Sequence, residues 1–359
     1  MIRYLELLEL PVVDGQIQVP SWRPDLNLMA DIAEEVGRSY GYNEIPTTAF
    51  KNATQGGYSP IMLAESKAGQ LCRSLGYSEI ITYSFVSPAI YDNIRIPKDS
   101  ALRNAMRIQN PLGEDTSIMR TIALPSMLDI LARNYAYHNK NVKLYELAKV
   151  YLPQEGEALP AEPKKLMLGT YGEGTSFFTL KGQLEAILTG LRLPKAVYTA
   201  VKDNPSYHPG RCASIAMNGE VLGYMGQVHP LVAKTYGLDT EVYCVELDFS
   251  KAFTMMLPEP TFTALPKYPA VTRDLSLLCD EATTIAELEN VITAAGGKLL
   301  RRVDLFDIYR GKGVAEGKKS VAFSLVLRAD DRTLTDADSE GVTSKVLAAL
   351  ESKLGATLR

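Results

Sequence analysis

The chain has 359 residues, 38 Lys and Arg against 42 Asp and Glu for a net charge of −4, and an ordinary hydrophobic share of 46%. That length predicts two or three domains, and interspersed charge with this much apolar residue excludes a disordered or low-complexity protein. The slightly acidic balance excludes a surface that grips nucleic acid everywhere, so any such contact must be local.

Residues 1–50 read as a small helical unit. LELLEL is a piece of helix with no cap before it, which predicts that the chain begins inside a domain. GQIQVPSW reads as strand-like, and Asn27 is the expected cap of a helix running to about Tyr40, with Gly41 as its stop. Leu28, Ile32 and Val36 recur at helical spacing and are assigned to its core face. The turn-rich segment KNATQGGYSP marks the first boundary.

Residues 51–262 form the second predicted domain. IMLAESKAGQLCRSLG reads as an amphipathic helix closed by Gly76, EIITYSF as a strand, and TIALPSMLDILARNYAYH as mainly helical with Pro125 near its start. VKLYELAKVY, KKLMLGTY, CASIAM, EVLGYMGQV and EVYCVEL read as strands, and FTLKGQLEAILTGL as another helix. Adjoining strands with helices set apart predict a mostly antiparallel sheet flanked by helices, the α+β class. After the proline-rich connector MMLPEPTFTALPKYP, residues 266–359 give the order βαββαβ, the ferredoxin-like plan. Along KKSVAFSLVLR, Val321, Phe323, Leu325 and Leu327 share one face, as in a strand covered by helices on one side.

Several chemistries are missing. There is no phosphate loop and no G-x-S-x-G elbow. GKGVAE has Glu316 at the third glycine position and is followed by a strand, so the dinucleotide context fails. Cys72, Cys212, Cys244 and Cys279 are scattered without a C-x-x-C pair, which argues against a zinc ribbon or a disulfide scaffold and suits a reducing cytoplasm. His208 near Cys212 in HPGRC is a weak metal signal, and loop packing is the plainer reading. No apolar run approaches the roughly 18 residues of a membrane span, and the acidic MIRYLELLELP is neither a signal nor a transit peptide.

RPDLNLMADIAEEVGRSYGYNEIP concentrates carboxylates. Asp31, Glu34 and Glu35 stand at i, i+3 and i+4 and share a helix face, with Asp25 placed to fold back over it and Arg38 four residues after Glu34. Two readings stay open: an acidic first turn favoured by the helix dipole and water, or an oxygen-rich site of the kind that suits Mg²⁺.

The words around that cluster closely resemble the segment that marks the bacterial phenylalanine–tRNA ligase β-subunit family. The resemblance continues in order through NPLGEDTSIMRTIALPSML, VKLYELAKVY, FFTLKGQLEAIL, YHPGRCASI, GYMGQVHP, PKYPAVTRDLSLL, VDLFDIYRG, GKKSVAFSL and RTLTD, and covers essentially the whole chain. It implies a C-terminal portion of a subunit that lacks the long N-terminal tRNA-binding and editing regions. It further implies a truncated winged-helix-like first domain, a class II synthetase-like domain that has lost catalysis, and a last domain that contacts the anticodon stem-loop of tRNA(Phe). The implied partner is a catalytic α subunit, in an α₂β₂ enzyme that joins phenylalanine to tRNA with ATP. No membrane or DNA partner is expected. On the family's spacing, Asp25, Asp31, Glu34 and Glu35 would bind Mg²⁺ in a site shared with the α subunit.

Class II adenylate chemistry needs arginines around ATP to offset the triphosphate. Neither motif that carries them is present: Arg120 precedes a helix, and Glu146 has no arginine two residues before it. An inactive, scaffolding middle domain is therefore expected. In the last domain the resemblance points to Tyr309 as a base-stacking ring, Asp307 as an acceptor for guanine N–H groups, and Ser320 on the polar face of the next strand. Asp274 falls on the exposed face if Leu275 and Leu277 point inward, and Arg310, Lys312, Lys318 and Lys319 form a basic edge suited to phosphates. Against this, Tyr309 also fits a partly buried strand-end tyrosine with a wet hydroxyl. LFDIY puts Leu305 nominally on the face of Asp307 and Tyr309, an imperfect alternation that a bulge could resolve. A free-standing RNA-binding protein and an independent ATP-dependent ligase are the competing functions.

Overall fold

The structure, a computed structural model, describes residues 1–49 and 55–359. It divides into two units, Met1–Pro258 and Glu259–Arg359.

The first unit opens with α1 (Ile2–Leu7), then β1 (Val12–Val13) and β2 (Gln16–Ile17). Asp14 and Gly15, both at positive φ, make the two-residue turn between these strands, the Asp-Gly signature of a tight hairpin. Only Gln16–Ile17 of the strand-like stretch pairs; the prolines and Trp22 that follow carry the chain to α2 (Met29–Tyr40). Leu5, Leu10 and Leu26 are buried here, with Ile17, Ile32 and Val36 against them. Asn27 is not the cap. Leu28 holds that position, and Gly41 at φ 104° ends the helix as expected.

The larger part of this unit begins with α3 (Pro60–Ser74), whose Ser59 cap accepts from the Met62 N–H and whose Pro60 occupies the first turn. β3 (Ser78–Glu79), β4 (Phe85–Val86), α4 (Ile90–Asn93), β5 (Ile118–Met119) and α5 (Leu124–Ala136) follow. Next come β6 (Val142–Lys149), β7 (Lys164–Tyr171), α6 (Phe177–Gly190), β8 (Val197–Ala200), β9 (Tyr207–Met217), β10 (Glu220–Val228), α7 (Pro230–Thr235), β11 (Val242–Asp248) and α8 (Phe249–Thr254). Seven strands form one sheet in the order β3-β6-β7-β11-β10-β9-β8, antiparallel except where β3 lies parallel to β6.

Alternation explains why the sheet is buried on both faces. Val142, Leu144, Met167, Val242 and Cys244 share one core with Leu124, Met127 and Leu131 of α5. Tyr145, Leu166, Leu168, Val245 and Leu247 share the other with Ala68 and Cys72 of α3 and Leu184 and Ile187 of α6. Gly169 of β7 permits the close approach of α5, because a Cβ there would lie 2.6 Å from Met127 Sδ.

EIITYSF departs from the single strand expected. After the two residues of β3, Thr82 turns inward to hydrogen-bond Glu146, while Ile81 and Tyr83 swing out to 91% and 84% exposure. HPGRC belongs to β9 rather than to a loop; His208 Nδ1 accepts from the Gly210 N–H and Cys212 is buried.

The second unit contains β12 (Val271–Asp280), α9 (Ile285–Gly296), β13 (Leu300–Tyr309), β14 (Lys318–Leu327), α10 (Asp336–Leu354) and β15 (Thr357–Leu358). This is the expected βαββαβ order, with an antiparallel sheet β13-β14-β12-β15. Leu275, Leu277, Val321, Phe323, Leu325 and Leu327 face a core completed by Leu288, Ile292, Val342 and Val346 of the two helices. Capping boxes start both helices, Thr284 with Glu287 and Thr335 with Asp338. The helices cover one side of the sheet and leave the other uncovered within this unit.

Candidate functional site

The uncovered face is built from alternate residues of four strands. In register, Asp274 lies opposite Ser324, Ser276 opposite Ala322, and Leu278 opposite Ser320. On the other side of β14, Asp307 lies opposite Ala322 and Tyr309 opposite Ser320. The alternation of LFDIY is resolved by a bulge: Leu305 pairs with Phe323 and Asp307 with Ala322, so Phe306 is an extra residue. That residue puts Leu305 on the helix-covered side and Asp307 and Tyr309 together on the open side. Asp274 is exposed there while Leu275 and Leu277 are buried.

Tyr309 is 38% exposed. Its hydroxyl donates to the Lys312 carbonyl at 3.2 Å, which folds the ring against the β13–β14 loop. Gly311 makes room for this, because a Cβ there would come within 2.8 Å of Tyr309 Oη. Arg359, just past β15, donates its N–H to the Ser276 carbonyl and brings its guanidinium 5.3 Å from the Tyr309 ring centroid. Tyr309 and Arg359 flank the two middle strands, so both side chains reach over them. Ser320, 4% exposed, lies between with its hydroxyl 3.3 Å from that of Ser276.

The basic edge is largely neutralised. Arg310 donates to Glu281 at 2.9 Å, holding that carboxyl below its usual range. Lys318 pairs with Asp280 at 2.7 Å. Lys319 is buried, and its ammonium donates to the Glu281 carbonyl at 2.9 Å, so it faces its own fold rather than a phosphate. Lys312 is exposed. Arg359 and Gly311 escaped the sequence reading. Period-two alternation places Thr357 and Arg359 on one side of ATLR, yet only the pairing of β15 with β12 says which side that is.

The acidic segment is arranged around arginine. Arg23 Nη2 lies 2.7 Å from Asp25 and 3.0 Å from Glu35, and Arg38 also pairs with Glu35. Glu35 is buried, and its hydrogen bonds from Arg38 and Arg23 pull its carboxyl down to about 2. Asp31 accepts from the Asn27 and Leu28 N–H groups at 2.8 and 2.7 Å and so caps the helix that Asn27 was expected to cap. Glu34 is exposed. Among the described residues no three His, Cys, Asp or Glu side chains converge as metal ligands. Mg²⁺ requires oxygens at about 2.0–2.1 Å in octahedral array. With a guanidinium between Asp25 and Glu35 and Asp31 committed to a cap, the residues present do not by themselves fit that ion.

The seven-stranded sheet holds a buried polar cluster at the start of α5. Arg120, 2% exposed, donates to the Lys149 carbonyl at 2.8 Å, to Thr82 Oγ1 at 2.5 Å and to Glu146 at 3.3 Å. Glu246 accepts from the Ala123 N–H at 3.1 Å, and desolvation raises its carboxyl. The Arg120 guanidinium is thus consumed by its own fold and not presented to a triphosphate.

Comparison with known proteins places these features. Residues 45–249 match the description "Phenylalanyl tRNA synthetase beta chain CLM domain", residues 266–359 match "Ferredoxin-fold anticodon binding domain", and residues 1–42 match "tRNA synthetase B5 domain". The phenylalanine–tRNA ligase β subunit of Clostridium tetani is 44% identical over 365 residues, covering 100% of this chain and 46% of the relative. The same subunit of Clostridium acetobutylicum is 43% identical over the same shares. That of Moorella thermoacetica is 40% identical over 96% of this chain and 44% of its own length. The chain spans a little under half the length of these relatives. No helix among the described residues is long and apolar enough to cross a membrane.

Proposed function

The chain belongs to the phenylalanyl-tRNA synthetase β chain family, and on that premise we propose that it is a non-catalytic RNA-reading and assembly portion of an ATP-dependent phenylalanine–tRNA ligase. The uncovered sheet face of Glu259–Arg359 takes the anticodon loop of tRNA(Phe). Tyr309 stacks on a base, Asp307 accepts from base N–H groups, and Ser320, Asp274 and Arg310 border the contact. Lys319 supports the loop from within. One observation carries this reading: a half-exposed tyrosine, fixed at its hydroxyl, stands on an open sheet face in the segment matched to anticodon-binding domains. Titrating the protein with the anticodon stem-loop of tRNA(Phe) tests it. Binding that weakens when the anticodon bases are changed is expected, and equal affinity for any loop sequence refutes it.

The partner is a catalytic α subunit, and the site of action is the cytoplasm. Exposed apolar side chains support a docking surface: Tyr58, Met62 and Ile81 line a cleft of about 520 Å³, with Leu63 and Tyr83 exposed in the same segments. Mg²⁺ at Asp25, Asp31, Glu34 and Glu35 belongs to the assembly alone, since it needs oxygens from the partner and release of Arg23. Mixing the chain with purified α subunit over a range of Mg²⁺ is expected to give a Mg²⁺-dependent complex; failure to associate at any concentration overturns the partnership.

A further inference from the structure

We propose that Arg359 is a second RNA-contacting residue of the open face, the cation that meets a phosphate of the bound single-stranded loop. This rests on the reading of that face as an anticodon site and deepens it.

The loop residues that sequence marks as basic are mostly spent. Arg310 is held by Glu281, Lys318 by Asp280, and the Lys319 ammonium by a carbonyl. Elsewhere on the open face Arg302 pairs with Asp304 at 2.7 Å. Arg359 differs. It is exposed, its side chain has no carboxylate partner among the described residues, and its guanidinium rests against the Tyr309 ring at 5.3 Å. A guanidinium in that place keeps its charge available while the ring contact limits its wandering. Its reach is set by the backbone, because the Arg359 N–H is tied to the Ser276 carbonyl. It also lies near Gly313, whose Cβ position is 3.8 Å from an Arg359 Nη. The guanidinium therefore stands between the ring that receives a base and the glycine-rich loop beside it. A base stacked on Tyr309 would carry its flanking phosphate into the range of this charge.

The test uses the whole protein and a labelled anticodon stem-loop of tRNA(Phe), with affinity measured across a series of KCl concentrations. Arg359→Met is expected to lower affinity about fivefold at low salt, and to flatten the plot of log K against log salt by about 0.7, the value for one phosphate contact to a single strand. Arg359→Lys is expected to restore the slope while recovering only part of the affinity, because ammonium loses the planar contact with the ring. Unchanged affinity and slope in Arg359→Met, with Tyr309→Ala still impaired, overturns the inference and spares the anticodon reading. A lowered affinity with an unchanged slope overturns the phosphate assignment. No effect in either variant overturns both.

Discussion

Replacing Glu146 with alanine tests whether the polar cluster of the synthetase-like sheet is structural. Its carboxylate accepts from the Thr82 N–H at 3.1 Å and from Thr82 Oγ1 at 2.8 Å, and it faces Arg120 at 3.3 Å, with side chains 2% and 6% exposed across the ion pair. Truncation strands a guanidinium in the interior and removes the acceptor of the part-buried Thr82 backbone N–H. Breaking a buried pair from one side costs about 3–5 kcal/mol. Arg120 retains the Lys149 carbonyl and Thr82 Oγ1, which argues for the lower end, about 3 kcal/mol. That is a large part of a typical total of about 5–15 kcal/mol. Urea unfolding followed by circular dichroism reads it as a lower midpoint at constant slope. The double variant Arg120→Met, Glu146→Leu removes both charges and fills the space, so it is expected within about 1.5 kcal/mol of the parent. A single-variant loss below about 1 kcal/mol, or strict additivity in the cycle, would refute the assignment.

Tyr309→Ala should weaken binding of the anticodon stem-loop by about 1–3 kcal/mol in a direct titration, with little change in melting temperature. Gly311→Ala, whose Cβ would press within 2.8 Å of Tyr309 Oη, should displace the ring and lower the same affinity without unfolding the domain. Asp31→Ala should cost about 1 kcal/mol through loss of the cap even where no metal is present, read as the thermal midpoint in chelator. Burial pushes the Cys72 and Cys212 thiols up to about 12, so thiolate is scarce well above neutral pH. Ellman's reagent at pH 8 should therefore label them only as fast as the protein unfolds.

Long, strongly periodic elements were legible, and for a physical reason. KKSVAFSLVLR alternates because β14 is central and helix-covered on one side, and α10 announces itself with Thr335 and Asp338 at its start and Gly355 at its end. Elements set by tertiary contacts were not. EIITYSF has strand composition throughout, yet Thr82 satisfies Glu146 and so pulls the chain out of the sheet. Asn27 has the better capping side chain, but Asp31 supplies the acceptor from inside the helix and moves its start to Leu28. The Phe306 bulge is invisible in composition. It nevertheless decides that Leu305 leaves the face that Asp307 shares with Tyr309 and turns to the helix-covered side.

A bare count of charges leaves out, at both proposed contacts, how those charges are already paired. Four carboxylates in one segment suggest an anionic pocket, but Arg23 joins Asp25 to Glu35 and Asp31 turns to the backbone. Four cations at one loop suggest a phosphate-binding edge, but Glu281 and Asp280 hold Arg310 and Lys318 while Lys319 points inward. A charge already paired and hydrogen-bonded offers a ligand little, because the ligand must first break that pairing. The groups free to act are those that geometry leaves unpaired. At the loop that criterion leaves Lys312, and on the open face it selects Arg359, which lies outside the basic edge and ties the electrostatics of the face to the tyrosine expected to receive the base.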